Sequence, residues 1–378
     1  MSQRSLPAVF MRGGTSKGLM LHQRDLPEDR GEWTDVLCAA MGSPDPYGRQ
    51  LDGMGGGISS LSKVCVVAPS TREDADVDYT FVQVAVKERR IDLRSNCGNM
   101  SAAVGPFAYD EGLVDPDADR CVVRIHNTNT NKVIHSTFEV EGSHARYDGE
   151  FTIPGVGTAG APIRLDFLAP GGATTGNLLP TGRVSEWLDV NDLGPIEVSL
   201  VDAANAAVFV RARDVGLSGV ELPEELEARH DVLTLLESIR RAASVRMGIA
   251  ADAASAAAVS SVPFICVVSE PAASTTSSGL DLAAGDADLV ARVISNGQPH
   301  RALPLTISLC TAVAARLPGS IVTRLVEASA GDALRLATPS GVLSADAVVD
   351  RSDGEWTARS GTFYRTARRL FDGRVWYR

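Results

Sequence analysis

No stretch of this 378-residue chain approaches the roughly 18–20 consecutive apolar residues that cross a bilayer. No positively charged run at the N-terminus precedes a short apolar core, so no secretory leader is expected. The six cysteines (38, 65, 97, 121, 266 and 310) are scattered without a Cys-x-x-Cys pair, which argues against a structural zinc and against a disulfide framework. No metal is expected, and the expected setting is a reducing, cytoplasmic one. Positive charge is short: the formal net charge is −11, which disfavours nucleic acid and anionic membrane surfaces as partners. An anionic small molecule stays compatible with this balance, because backbone dipoles and a few cations outweigh a diffuse negative surface locally. Aromatic residues are sparse at 5%.

The chain is long enough for two domains of ordinary size. With 44% hydrophobic and 22% charged residues the composition is that of a soluble globular protein, and 35 glycines point to many turns. Residues 8–12 and 19–22 read as strands joined by the polar turn Gly13-Gly14-Thr15-Ser16-Lys17-Gly18. That turn lacks the glycine spacing of a phosphate loop, so a nucleotide site is not expected. Residues 30–41 read as an amphipathic helix with Trp33, Leu37 and Met41 on one stripe. Strands are expected at 64–67, 78–86, 90–93, 121–125 and 133–140, and a helix from about residue 99 to Gly112. Residues 144–185 are rich in glycine and proline, and the chain is expected to cross between domains there. The second half reads as strands 196–201, 208–211 and 264–268, helices 223–246, 286–295 and 302–316, and strands near 321–327, 333–337 and 343–349. The basic stretch Arg365–Arg369 precedes a last strand, Arg374–Tyr377. The expected division is 1–185 and 186–364, with strand 365–378 a candidate to complete the first domain.

Two stretches carry chemistry. In Arg94–Val104 an Asn-Cys-Gly turn lies between strand and helix, with Cys97 at or near the helix N-terminus. Free N–H groups and the helix dipole favour anions there and make a thiol a usable acid or base. The plainer alternative is an inert, buried cysteine. Upstream, four of residues 53–57 are glycine, a backbone able to approach a ligand closely. Serines 59, 60 and 62 follow, and Lys63 stands at the head of an apolar strand. Desolvation turns lysines into general bases; the alternative is a stem on apolar surface with its head in water. The polar run His126–Lys132 suits lining a site or capping a turn, and the turn is the plainer reading.

The halves echo each other. Ser60–Val67 matches Ser261–Val268, and Ser95-Asn96-Cys97-Gly98 matches Ser295-Asn296-Gly297-Gln298, both about 200 residues along, too long a period for a solenoid. Two half-molecules of similar fold are expected. Lys63 is matched by Phe264 and Cys97 by Gly297, so both proton-moving groups lie in the first half.

Arg12–Gly18, Asp52–Gly56, Ser62-Lys63, Asn96–Asn99, Gly297–Ala302 and Arg365–Leu370, in this order, resemble the PrpF family, and the likeness runs end to end. Members of that family include 2-methylaconitate, 3-methylitaconate and 4-oxalomesaconate isomerases or tautomerases. The resemblance implies an α/β (α+β) fold like that of diaminopimelate epimerase: two pseudo-symmetric domains, each a curled, mainly antiparallel sheet around a central helix, with the active site in the cleft between them. It implies cofactor-free proton transfer, with Lys63 and Cys97 at the family's catalytic positions. Epimerases of that fold use a cysteine from each domain. Here the second loop holds Gly297, and Cys310 lies well down the following helix, which argues against a two-thiol racemase.

These readings lead to one expectation: a cofactor-independent isomerase that moves a C=C bond by 1,3-allylic proton transfer in an unsaturated di- or tricarboxylate. Lys63 and Cys97 are the catalytic candidates. Ser16, Ser60, Asn96, Gly98, Asn99, His300 and Arg12 are the candidates for holding substrate, with Arg12 and Arg301 equally suited to bracing loops. The alternatives are an amino- or hydroxy-acid racemase or epimerase, and a non-catalytic carboxylate-binding accessory protein. The expected partner is the small carboxylate, with no nucleic acid or membrane, and a homodimer is left open.

Overall fold

A computed structural model describes residues 3–93, 97–114, 120–190, 193–259, 262–295, 297–326 and 333–378. The chain forms two units, one of Met1–Leu168 with Tyr364–Arg378, the other of Ala169–Phe363. The change of unit therefore falls at 168/169, inside the glycine- and proline-rich stretch but earlier than 185/186. No helix among the described residues is long and apolar enough to cross a membrane.

In chain order the first unit holds β1 (Arg4–Gly13), β2 (Ser16–His22), α1 (Trp33–Met41), β3 (Lys63–Pro69), β4 (Val77–Val84), β5 (Ile91–Asp92), α2 (Gly98–Asp110), β6 (Arg120–Asn127), β7 (Lys132–Glu141), β8 (His144–Ala145) and β9 (Ile163–Leu168). The next unit holds β10 (Glu186–Val190), β11 (Gly194–Ala203), β12 (Asn205–Arg211), α3 (Pro223–Glu227), α4 (His230–Arg246), α5 (Ala253–Ala258), β13 (Phe264–Ser269), β14 (Ser274–Thr275), β15 (Asp281–Leu282), β16 (Leu289–Ser295), β17 (Gln298–Pro299), α6 (Leu305–Ala315), β18 (Leu334–Thr338), β19 (Gly341–Ser352) and all but the last two residues of β20 (Glu355–Arg365). The last strand, β21 (Ala367–Tyr377), lies in the first unit and pairs antiparallel with β1 from Arg4↔Tyr377 to Gly13↔Ala367.

The two units share one wiring. In the first, the β1–β2 hairpin leads through α1 to β3, parallel to β2; β4 runs antiparallel to β3; β6 returns parallel to β4; β7 follows antiparallel. In the second, β11–β12, β13, β16, β18 and β19 repeat those relations in the same order. α2 and α6 occupy the same place in the two sequences of elements. Both are apolar nearly all round and buried along most of their length, as a helix enclosed by its own sheet must be. Small residues let α2 sit close: a Cβ on Gly105 would collide with the Ser136 hydroxyl of β7.

The fold is the mixed α/β one expected, and several local expectations are corrected. The helix expected over 286–295 is absent; from Leu289 these residues are β16, whose Leu289–Ile294 are a buried run, apolar except for Arg292, and the strand pairs with both β13 and β18. Periodicity alone does not separate such a strand from a buried helix segment. Residues 321–326 are consecutive turns packed behind α6, not a strand, and residue 327 lies outside the described residues. The helix expected over 223–246 is two, α3 and α4. The echo also divides. Lys63 and Phe264 do hold equivalent places, each opening its strand opposite the parallel partner (Gly18↔Lys63, Ala207↔Phe264). Gly297 is not the counterpart of Cys97: it lies in the β16–β17 turn, and the residue capping α6 is Pro304.

Gly18 is required by space. A Cβ there would collide with the backbone carbonyl of Lys63, directly across the ladder. Gly18→Ala is expected to destabilise the first unit by about 1–3 kcal/mol, since backbone cannot yield as a side chain can. The check is the urea midpoint; an unchanged midpoint would mean that β2 and β3 leave room for a methyl group.

Candidate active site

The site is built on one face of the β3–β4 ladder. Val64, Val66, Val82 and Val84 point into the apolar cluster with Trp33 and Leu37 of α1. Strand alternation therefore turns Lys63, Cys65, Tyr79, Phe81 and Gln83 to the other face. Lys63 pairs in register with Gln83, and Cys65 with Phe81. The Lys63 ammonium is only 8% exposed as a residue, donates to Gln83 Oε1 at 2.9 Å and lies 4.8 Å from the centre of the Phe81 ring. Gln83 Nε2 donates to the carbonyls of Ser59 and Ser62 at 3.0 and 2.9 Å.

α2 starts above this face. Cys97 is its N-cap residue, half-buried, and Gly98 is its first helical residue. Burial pushes the Cys65 thiol up; the nearness of Cys97 adds to the rise, while Tyr79 and Lys63 oppose it. Burial likewise raises Tyr79, which senses Cys97 and hydrogen-bonds the Ser101 side chain. Cys65 Sγ lies 3.8 Å from the Tyr79 hydroxyl. Cys65 and Tyr79 thus form a neutral layer close to Cys97, with Lys63 two residues before Cys65 on the same face. Among the described residues, no three His, Cys, Asp or Glu side chains gather as a metal-ligand set.

The β1–β2 turn closes against the start of α2. Asn99 Nδ2 donates to Thr15 Oγ1 at 3.1 Å. Gly14 has φ +52°, and a Cβ on it would strike the Asn99 side chain. Arg12 donates to the carbonyls of Gly14 and Thr366 at 2.9 and 3.0 Å, and Gly14 N–H also donates to Thr366 O. Arg12 is therefore engaged as a brace between the hairpin tip and the closing basic motif. Burial, then Arg368, lowers its pKa. Arg369 of the same motif holds Glu111 at 2.7 Å, beyond the C-terminus of α2.

Matches to known proteins place the chain in a family. The PrpF protein family matches residues 3–378. The chain belongs to the PrpF family. It is 42% identical over 368 residues to the putative isomerase YraM of Bacillus subtilis, covering 97% of this chain and 96% of that one. It is 40% identical over 377 residues to the 3-methylitaconate isomerase of Eubacterium barkeri, covering 99% and 97%. A crystal structure of methylitaconate-delta-isomerase superposes with a TM-score of 0.92 at 39% identity, covering 100% of this chain and 96% of that one. The chain is an enzyme of this family's class, an isomerase.

The remaining candidates stand as follows. Ser16 is buried at the start of β2; Ser60 is half-buried in the 3₁₀ turn Ser59–Leu61 that Gln83 holds. Asn96 lies outside the described residues. His300 belongs to the second unit, where its Nδ1 accepts from Ala302 N–H at 3.1 Å and burial lowers its pKa. That leaves a neutral ring with Nε2 carrying the proton. Arg301 pairs with Glu224 and Glu227 of α3. The glycine cluster approaches its own chain: a Cβ on Gly53 would strike Gly42, on Gly55 the Gln50 side chain, on Gly57 the Gly48 carbonyl.

Sequence reasoning missed Gln83, and it placed Asn129 only within a polar run whose plainer reading is a turn. Gln83 was signalled by the polar position in the alternation Phe81-Val82-Gln83. Asn129, in the run read as a turn, brackets Phe81 with its amide (Oδ1 from Phe81 N at 2.7 Å, Nδ2 to Phe81 O at 2.8 Å) and reaches Leu93 O at 2.6 Å. No local signal announces that contact.

All six cysteines are free, and five are buried; Cys97 is the half-exposed one. Burial also pushes Cys266 up to about 12. Since thiolate is the reactive form, brief iodoacetamide treatment of the native protein at pH 8 should alkylate Cys97 and spare the other five, as read by peptide mass spectrometry. Equal labelling of Cys65 would mean the layer beneath Cys97 is open.

Proposed function

We propose that the enzyme is a cofactor-independent isomerase of an unsaturated di- or tricarboxylate, shifting its C=C bond by 1,3-allylic proton transfer, with a methylitaconate-like skeleton the first candidate. What supports the reading is a buried lysine at the head of β3, beside a buried, neutral Cys65, and a half-buried cysteine capping the N-terminus of α2 in the same unit. The names of the E. barkeri relative and of the solved isomerase support the substrate class.

In this mechanism the Lys63 amine takes a proton from the carbon between the double bond and a carboxylate. The C–H electron pair spreads over the allylic system and that carboxylate. A proton is then returned at the far carbon, and the double bond has moved by one position. If the Lys63 ammonium returns it, the enzyme is unchanged. If the Cys97 thiol returns it, a proton passes from Lys63 to the thiolate before the next turnover. The intermediate gains negative charge, so donors aimed at it matter most. The first-turn N–H groups of α2, the helix dipole and the Lys63 ammonium supply them. Ser16, Ser60, Asn96, Asn99 and His300 are the proposed carboxylate holders; Arg12 acts by bracing the tip.

The test is proton NMR in deuterium oxide with methylitaconate, methylaconitate, aconitate and oxalomesaconate. Deuterium should enter an allylic position as the double bond moves, and Lys63→Ala should slow this at least about 100-fold, the scale of general acid–base catalysis. Exchange that survives Lys63→Ala overturns the assignment of Lys63. Tight binding without exchange would favour an accessory carboxylate-binding protein, and exchange at a saturated chiral carbon would favour an epimerase.

A further inference from the structure

We infer that Gln83 is the positioning residue for proton transfer by Lys63: its neutral amide holds the lysine head and the Ser59–Leu61 turn in one frame without giving the lysine a counter-charge. The inference rests on the proposed role of Lys63.

The geometry leaves the amide one orientation. Two carbonyls, of Ser59 and Ser62, face one end of the Gln83 side chain at 3.0 and 2.9 Å. Only an NH₂ group can face two acceptors, so the oxygen must face Lys63 Nζ, at 2.9 Å. The β3–β4 register places Gln83 directly opposite Lys63, so a short, direct contact is enough. Phe81, two residues earlier on the same face, sets its ring against the lysine head. One N–H of the lysine is thus taken and one side is walled.

The neutrality of this partner suits the chemistry. Both the amine and the ammonium carry an N–H to donate, so the hydrogen bond to an amide oxygen persists through the proton cycle. A carboxylate in that place would favour the ammonium and repel a substrate with two or three negative charges. Among the described residues no carboxylate forms an ion pair with Lys63. Among the described residues, Cys65 on its own strand is the titratable group that feels Lys63, and burial keeps that thiol protonated. The same amide also fixes the turn carrying Ser60, so lysine and turn move together.

The test uses the full chain and two variants of similar volume, Gln83→Glu and Gln83→Met. The chain has only four lysines (17, 63, 87 and 132), so ¹³Cε-lysine labelling yields four signals, with Lys63 assigned by its loss in Lys63→Arg. In Gln83→Glu the Lys63 titration midpoint should rise by about 1 unit or more while the other three stay in place. In Gln83→Met the allylic exchange kcat should fall about 100-fold with KM within about threefold, the scale expected when a reacting group is misplaced. A Gln83→Met kcat within twofold of wild type, or a Lys63 midpoint unmoved in Gln83→Glu, overturns the inference. If wild type exchanges none of the carboxylates, the proposed function fails by that result, and the titration alone still decides whether Gln83 governs Lys63.

Discussion

The register between β3 and β4 is the constraint on which the site depends. A one-residue slip would turn Lys63 and Cys65 toward the apolar cluster under α1 and send Val64 to the polar face. The valines on the α1 side oppose that slip, because each would leave a buried apolar environment. The hydrophobic face of the ladder thereby secures the position of an ammonium on the opposite face. Gln83 and Phe81 then complete a setting in which that ammonium is nearly enclosed yet hydrogen-bonded, which a buried charged group requires.

α2 is the second fixed part. Its N-terminus carries Cys97, and the hairpin tip is tied to it through Asn99 and Thr15. Its other end carries Asp110 and Glu111, the unfavourable sign for a helix C-terminus. Arg369 offsets this by pairing with Glu111 at 2.7 Å and Asp110 at 3.7 Å, with His22 at 3.1 Å from Glu111. The basic motif near the chain's end thus works at both ends of this arrangement: Thr366 anchors the Gly13-Gly14 tip, and Arg369 steadies the far end of the helix. Residues more than 350 positions apart in sequence meet because β21 lies along β1.

The two units repeat one wiring with different chemistry. The strand that opens with Lys63 in one opens with Phe264 in the other, and the helix capped by Cys97 in one is capped by Pro304 in the other. The tie between hairpin and helix survives in altered form: Asn99 donates to Thr15 in the first unit, and Asn205 donates to Thr306 in the second at 2.8 Å. The scaffold is thus kept while the lysine and cysteine occur in one copy only.

Local signals were strong where one residue's chemistry or one strand's alternation sufficed. Lys63 at the head of an apolar strand, Cys97 before a small-residue helix, the Gly13-Gly14 turn and the β3 echo in β13 were all legible from neighbouring residues. Where an element is buried all round, local pattern fails, which is why β16 read as a helix and why Ser295–Gln298 passed for a helix entrance. The glycine cluster read as a ligand approach because space-filling by its own loop has no signature along the chain. What the sequence by itself determined was where the candidate proton-moving groups stand, a lysine heading an apolar strand and a cysteine opening a helix, both in the first half. Only the tertiary structure decided their partners, because Gln83, Asn129 and Thr366 reach the site through strand register and long-range pairing, and contacts across a sheet leave no mark on the residues beside them in the chain.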